Sequence, residues 1–236
     1  MEPPDNIRTY LNWSSGKDAS MALHRLQQDG VTVEKLVTTV NKHFRRVSMH
    51  GLRIELLQRQ SEALNIPLQL IELPEKPSME VYDEIMSGAM SELNEQGFTH
   101  CGFGDIFLED LRAYRENQLQ KVGITASFPL WKQDTRQLIN DFIQAGFKAV
   151  VVCLNASKLD NSFLGREIDE AFVKALPKGV DVCGEYGEFH TFCYDGPIFK
   201  NPVPFTLGEK TYREYEIKDA NGDKNTVTGF WFVDLI

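Results

Sequence analysis

Long apolar runs are missing from this chain of 236 residues: no stretch approaches the 18 or so residues that a membrane-spanning helix requires. Its first residues, Met-Glu-Pro-Pro-Asp, lack the basic and apolar regions of a secretory leader, so a soluble, cytoplasmic protein is the expectation. Cysteine is scarce, four residues in all, and Cys101, Cys153, Cys183 and Cys193 form no C-x-x-C pair. Neither a zinc ribbon nor a dithiol redox site is suggested; buried, reduced thiols are. Positive charge is in deficit. With 25 Lys and Arg against 34 Asp and Glu, the formal net charge of −9 opposes a broad nucleic-acid surface. One basic cluster remains, Lys42, His43, Arg45, Arg46 and Arg53, readable as a solvated face or as the complement of an anionic ligand. Repeats, low-complexity tracts and flexible linkers are absent.

What is present is concentrated first in Trp13 to Ser20, Trp-Ser-Ser-Gly-Lys-Asp-Ala-Ser. The segment follows a short apolar stretch, Tyr10 to Trp13, and precedes Ala19, Ala22, Leu23 and Leu26, which fall on one helical face. A Ser/Gly loop between strand and helix offers backbone N–H groups, the positive end of a helix dipole, hydroxyls and the Lys17 ammonium to a polyanion. A helix merely capped by Ser14 or Ser15 is the alternative. The loop is not a Walker A motif, because Leu11 stands where its first Gly belongs and Asp18 where its Ser/Thr belongs. It resembles instead the PP-loop, Ser-Gly-Gly-x-Asp-Ser, of the N-type ATP pyrophosphatases. Ser14, Gly16 and Asp18 match; Ser15 replaces the first Gly, and Ala19 the final Ser, unless Ser20 supplies that hydroxyl.

The rest of the first half alternates strands and helices. Strands are expected at Lys35 to Val40, Leu68 to Leu73, His100 to Phe103 and Ala149 to Leu154. Helices are expected over Leu52 to Leu64, from the Ser78 cap to about Gly97, over Glu109 to Val122 and over Thr135 to Ala145. Near-continuous apolar strands between such helices predict an α/β fold with a doubly wound parallel sheet. Ligands of such sheets bind beyond the carboxyl ends of the strands. That gathers Ser14 to Asp18, Thr39 to Asn41, and Gly104-Asp105, although Gly104 and Asp105 also suit a strand end and a helix cap. From about Pro129 the character changes: a helix near Arg166 to Leu176 is followed by Gly/Pro loops and by a hairpin signal, Asn221-Gly222, between Tyr212–Lys218 and Thr226–Leu235. A smaller α+β region continuing the sheet is expected there, with the division placed at residues 1–128 and 129–236.

A second constellation, Cys183-Gly-Glu-Tyr-Gly-Glu-Phe-His-Thr-Phe192, puts two carboxylates, two glycines and a histidine in ten residues. If Glu188 to Phe192 is extended, Glu188 and His190 share one face. Glu185, Glu188 and His190 are open to three readings, as holders of a metal, of a cationic acceptor or of ammonia; the metal is the weakest, for want of a defined ligand spacing.

Together these motifs resemble the diphthine–ammonia ligase family of PP-loop ATPases. Besides the loop, that family carries Leu-Asp-x-Ser-x-Leu-Gly-Arg, found here as Leu159 to Arg166, and Gly-Glu-x-Gly-Glu-Phe, found here as Gly184 to Phe189. The resemblance covers nearly the whole chain. Arg46 to Gly51 and Gly104 to Arg115 look like its bacterial branch; since bacteria do not make diphthamide, that placement implies an acceptor other than diphthine. The resemblance implies an adenine nucleotide alpha hydrolase-like sheet that binds ATP and Mg. It also implies transfer of AMP to a carboxylate, attack by ammonia, and release of AMP and pyrophosphate.

On that basis Ser14, Ser15, Gly16, Lys17, Asp18, Ser20, Thr39, Val40, Gly104 and Asp105 are expected to hold the nucleotide, with Asp18 and Asp105 toward Mg. Lys17 is expected to neutralise the leaving pyrophosphate. Its truncation is expected to spare the stability of the free protein. Glu185, Glu188 and His190 are expected to serve the acceptor, with Arg166, Arg112 or Arg115 on phosphate or the acceptor carboxylate, each Arg also fitting a structural ion pair. The expected partners are a small-molecule or protein-borne carboxylate and ammonia; a homodimer is left open. Two other functions stay in view, PP-loop sulfur transfer to tRNA and non-catalytic adenine-nucleotide binding.

Overall fold

The computed structural model describes residues 7–47, 50–218 and 225–236. The Met1 to Asp5 segment, Ser48 and Met49 of the Arg46 to Gly51 motif, and the Asn221-Gly222 turn lie outside the described residues. The chain runs β1 (Thr9–Asn12), α1 (Lys17–Gln28), β2 (Val33–Asn41), β3 (Arg46–Val47), α2 (Ile54–Leu64), β4 (Leu68–Leu73), α3 (Met79–Glu95), β5 (His100–Gly102), α4 (Glu109–Gln120), β6 (Thr125–Ser127) and α5 (Thr135–Gln144). There follow β7 (Lys148–Asn155), a 3-10 turn (Asn161–Phe163), α6 (Glu170–Ala175), β8 (Phe189–Asp195), β9 (Leu207–Lys218) and β10 (Asn225–Leu235).

β1 lies between β2 and β5, β4 lies beyond β2 and β6 beyond β5, all parallel; the two-residue β3 pairs antiparallel with the end of β2. Adjacent residues of a strand point to opposite faces, and the two faces are covered separately. Leu11, Leu36 and Val40 pack in one cluster with Ala22, Leu23 and Leu26 of α1 and Leu56 and Leu57 of α2. Tyr10, Val37 and Ile71 pack in the other with Leu93 of α3 and Leu119 of α4. The sheet is therefore doubly wound, as the alternating pattern predicts. Full burial of each such aliphatic side chain stabilises the fold by about 1.5–3 kcal/mol.

The second half does not continue this sheet. It forms a separate antiparallel one in the order β8-β7-β10-β9. The Ala149 to Leu154 run, read from sequence as one more parallel strand, is an interior strand of it, flanked by β8 and β10. The error has a physical origin: a strand buried on both faces is a continuous apolar run in either kind of sheet. The larger cluster contains side chains from both sheets, among them Leu11, Leu36, Val151 and Phe192, and so joins the two halves. All four cysteines are free and buried, and burial pushes each thiol up to about 12. No helix among the described residues is long and apolar enough to cross a membrane.

Candidate active site

Helices α3, α5 and α6 start on side-chain caps, Ser78, Asp134 and Asp169, which accept from Val81 N, Gln137 N and Phe172 N. α1 starts on Gly16, which has no side chain to offer. Its amino end faces a cavity of about 530 Å³ lined by Ser14, Gly16, Lys17 and Asp18. The loop is held from outside. Gln60 of α2 donates to the carbonyls of Ser15 and Cys193, Cys193 N donates to the same Ser15 carbonyl at 2.9 Å, and Lys17 N donates to Thr191 Oγ1 at 3.0 Å. Ser15 has φ +75°, the left-handed region where the PP-loop pattern has Gly, and its buried Oγ finds no partner.

The Lys17 ammonium is 3% exposed. It donates to both oxygens of Asp18, at 2.7 and 2.8 Å, and to the Cys183 carbonyl. Burial is the largest influence and works against its charge, but Asp18, Cys183 and Glu185 together outweigh it and raise its pKa. Lys17 is therefore a tie between the halves as well as a cation, and the expectation that the free fold is indifferent to its truncation is corrected.

Glu185, Tyr186, His190 and Thr191 line the same cavity, together with Asp105 and Arg115. Glu185 Oε1 accepts from Ile106 N at 2.8 Å and Phe107 N at 3.2 Å. Burial, with the neighbouring Asp18 charge, pushes its carboxyl up to about 7 in spite of those amides. Asp105 Oδ1 meets Arg115 at 3.3 Å, while its buried Oδ2 has no partner; burial raises its pKa against the pull of Arg115. Among the described residues, no three His, Cys, Asp or Glu side chains gather as a complete metal cage.

Other sequence-predicted residues stand elsewhere. Glu188, 2% exposed, does not reach this cavity. Its two oxygens accept from Asp181 N and Tyr186 N at 3.1 and 3.0 Å, which folds the loop carrying Glu185. Gly104 packs where a Cβ would stand 2.8 Å from the Asp18 carbonyl carbon, so glycine there lets the segment after β5 approach α1. Ser20 Oγ donates back to Gly16 O inside the first turn. Val40 is in the core. Arg166 lies over the Phe163 and Phe172 rings, outside this cavity, and Arg112 pairs with Glu116. Thr39 lines a second cavity, of about 170 Å³, on the α3/α4 face with Tyr10, Asn12, Tyr82, Asp83 and Phe103; Arg115 lines both.

Three residues at the site escaped the sequence reading: His50, Gln60 and Thr191. Gln60 left a usable signal, a polar residue three and four positions after Leu57 and Leu56 on the buried stripe of α2. His50 and Thr191 left none, since nothing local shows that the β3–α2 turn and β8 pack on the loop.

A doubly wound parallel sheet whose first strand leads through a Ser-Gly-Lys-Asp loop into a helix with glycine at its N-cap is the arrangement of a PP-loop protein of the adenine nucleotide alpha hydrolase class. Residues 7–126 match the diphthamide synthase N-terminal domain and residues 134–221 the diphthamide synthase C-terminal domain. The chain belongs to the diphthamide synthase family. It is similar to the diphthine–ammonia ligases of Bos taurus and Homo sapiens, each 31% identical over 105 residues, 42% of this chain and 39% of the relative. It is similar also to that of Schizosaccharomyces pombe, 30% identical over 95 residues, 39% of this chain and 16% of the relative. The matched segment thus spans less than half the length of these curated relatives.

Proposed function

We propose that the protein is an ATP-dependent, AMP-forming carbon–nitrogen ligase that adenylates a carboxylate and passes the acyl group to ammonia. The observation that carries this reading is that the phosphate loop and Glu185 and His190 open on one cavity, so a polyphosphate and an acceptor can meet there. The two family domains and the diphthine–ammonia ligase names of the relatives support it. The β- and γ-phosphates rest on Ser14 to Asp18, and the adenosine enters the second cavity past Thr39, with Arg115 between them. An acceptor carboxylate oxygen attacks the α-phosphorus, the bond to pyrophosphate breaks, and Lys17 and the α1 amides take up the leaving charge. Ammonia then attacks the acyl carbon, AMP leaves, and Glu185, poised near neutrality, takes the proton released from nitrogen. Glu188 acts through the loop that it holds.

Asp18 and the unpartnered Oδ2 of Asp105 fit a Mg ion whose other ligands come from phosphate and water. When bound, that ion supplies charge neutralisation to the polyphosphate. A functional division near residues 128 and 129 goes with this reading, the first part binding nucleotide and the second presenting acceptor. Sulfur transfer is disfavoured because every thiol is buried and its pKa raised. The test is chromatography of α-labelled ATP after incubation with ammonium and a pool of carboxylates. AMP is the expected product; ADP would place the chain in another class, and unchanged ATP would favour a nucleotide sensor.

A further inference from the structure

His50 and His190 stand with ring centroids 4.8 Å apart and planes tilted by 38°. Both line the larger cavity beside Gly16 and Lys17. His50 Nδ1 lies 3.2 Å from the Thr191 carbonyl oxygen. A carbonyl only accepts, so that nitrogen carries a proton. The buried Nε2 of His190 has no hydrogen-bond partner, and a buried polar atom of that kind is satisfied when a ligand reaches it.

The charged groups that line the cavity with this pair are Lys17 and Asp18 from α1, Asp105 and Arg115 from the β5–α4 side, and Glu185 from the loop before β8. Burial holds both rings neutral, pushing His50 down to about 3 and His190 down to about 4, with Lys17 acting in the same direction on each. A polyphosphate between Gly16 and Lys17 reverses the sign of that field.

We propose that the His50–His190 pair is a proton-accepting part of the phosphate site, neutral in the free protein and singly protonated once a polyphosphate chain fills the cavity. The inference rests on the nucleotide reading of the cavity. The proton comes from solvent, resides on one imidazole whose N–H donates to a phosphate oxygen, and returns to solvent when the anion leaves. No covalent bond changes. Linkage then requires nucleotide affinity to rise as pH falls, by at most about tenfold per pH unit. A positive imidazole beside Lys17 is disfavoured until the anion arrives, so the site admits the proton only with its ligand.

Nitrogen NMR of protein labelled in its five histidines tests this directly, with His50→Gln and His190→Gln spectra for assignment and α,β-methylene ATP as the probe. In the free protein both rings are expected to show the neutral pattern down to about pH 5. At saturation and pH 6.5 one of the two is expected to take the imidazolium pattern, and dissociation constants from pH 6 to 8 to fall on acidification, with a flatter profile in His190→Gln. If the probe raises the melting temperature while both rings stay neutral, the pairing proposal is overturned and the nucleotide reading stands. If the probe neither shifts melting nor moves any histidine signal, the nucleotide reading falls and this inference with it.

Discussion

In the parallel sheet the site residues sit on connections, Ser14 to Asp18 after β1 and Asp105 after β5, whereas in the antiparallel sheet they sit on β8 and in the loop before it. The connections carry the amino end of a helix, an ammonium and a carboxylate oxygen without a partner. The second half supplies backbone and hydroxyl partners that fix those groups, through Thr191, Cys193 and the Cys183 carbonyl. The Ser14 to Asp18 segment is thus held in part by residues more than 160 positions away.

Lys17, which both halves hold, gives the largest expected effect. Lys17→Ala leaves Asp18 and the Cys183 carbonyl without their partner and is expected to cost the free protein about 1–3 kcal/mol, a fall of roughly 2–12 °C in Tm. In the wild type, ATP at about 100 times its Kd adds about 2.7 kcal/mol; an approximately 100-fold weaker variant keeps about 0.4 kcal/mol at the same concentration. Thermal melts with and without ATP read both terms, and a variant with unchanged Tm and full ATP response would break the comparison.

Thr191→Val comes next. It keeps the shape of β8 but removes the acceptor of Lys17 N, at a cost of about 1–2 kcal/mol, and by calorimetry is expected to weaken nucleotide binding although Thr191 belongs to the half that does not carry the loop. Unaltered affinity would mean that the first half shapes its loop alone.

The two glutamates of the second constellation separate by pH. From its ordinary value near 4.5 up to about 7, the folded chain keeps a proton on Glu185 that the unfolded chain has released. Stability therefore falls as pH rises across that window, and Glu185→Gln is expected to flatten this part of the curve. Glu188→Gln is expected to lower the whole curve, since an amide NH₂ would face a backbone N–H. Denaturant midpoints between pH 4 and 8 distinguish the two, and identical curves would dissolve the distinction.

The smallest change expected is a gain. Ser15→Gly relieves a left-handed φ and removes a buried hydroxyl without a partner, against the greater freedom of glycine in the unfolded chain. A net stabilisation of up to about 1 kcal/mol is expected, read as a rise of roughly 2–4 °C in Tm. A loss would show that the Ser15 hydroxyl is satisfied in a way that the geometry does not reveal.

The contrast between halves also explains what could be read from sequence. β4 coincides with the expected Leu68 to Leu73 and α3 begins at its expected Ser78 cap, because helix stripes, caps and apolar strands are local signals. In the antiparallel sheet β9 and β10 pair as the hairpin signal predicts, but the place of β7 and β8 escaped because pairing partners distant in sequence are decided by tertiary packing. β7 and β10 are joined through Asn155 and Phe230, 75 residues apart, and no periodicity records that. Within the site, Lys17 and Asp18 announced themselves by spacing, whereas the different fates of Glu185 and Glu188, three residues apart, follow from which backbone amides each carboxylate meets. His50 became visible only once the chain was folded.

The four sequestered thiols give the molecule an internal record of its own breathing. A thiol reagent reaches a cysteine only while the structure around it is open, so the modification rate of each, relative to that of an unfolded peptide, measures the free energy of that opening. Cys101 reports on the parallel sheet, Cys153 and Cys193 on the antiparallel one, and Cys183 on the loop whose carbonyl grips Lys17. Peptide mass spectrometry resolves all four in one sample, and the order in which they are modified ranks the parts of the molecule by how readily they come apart.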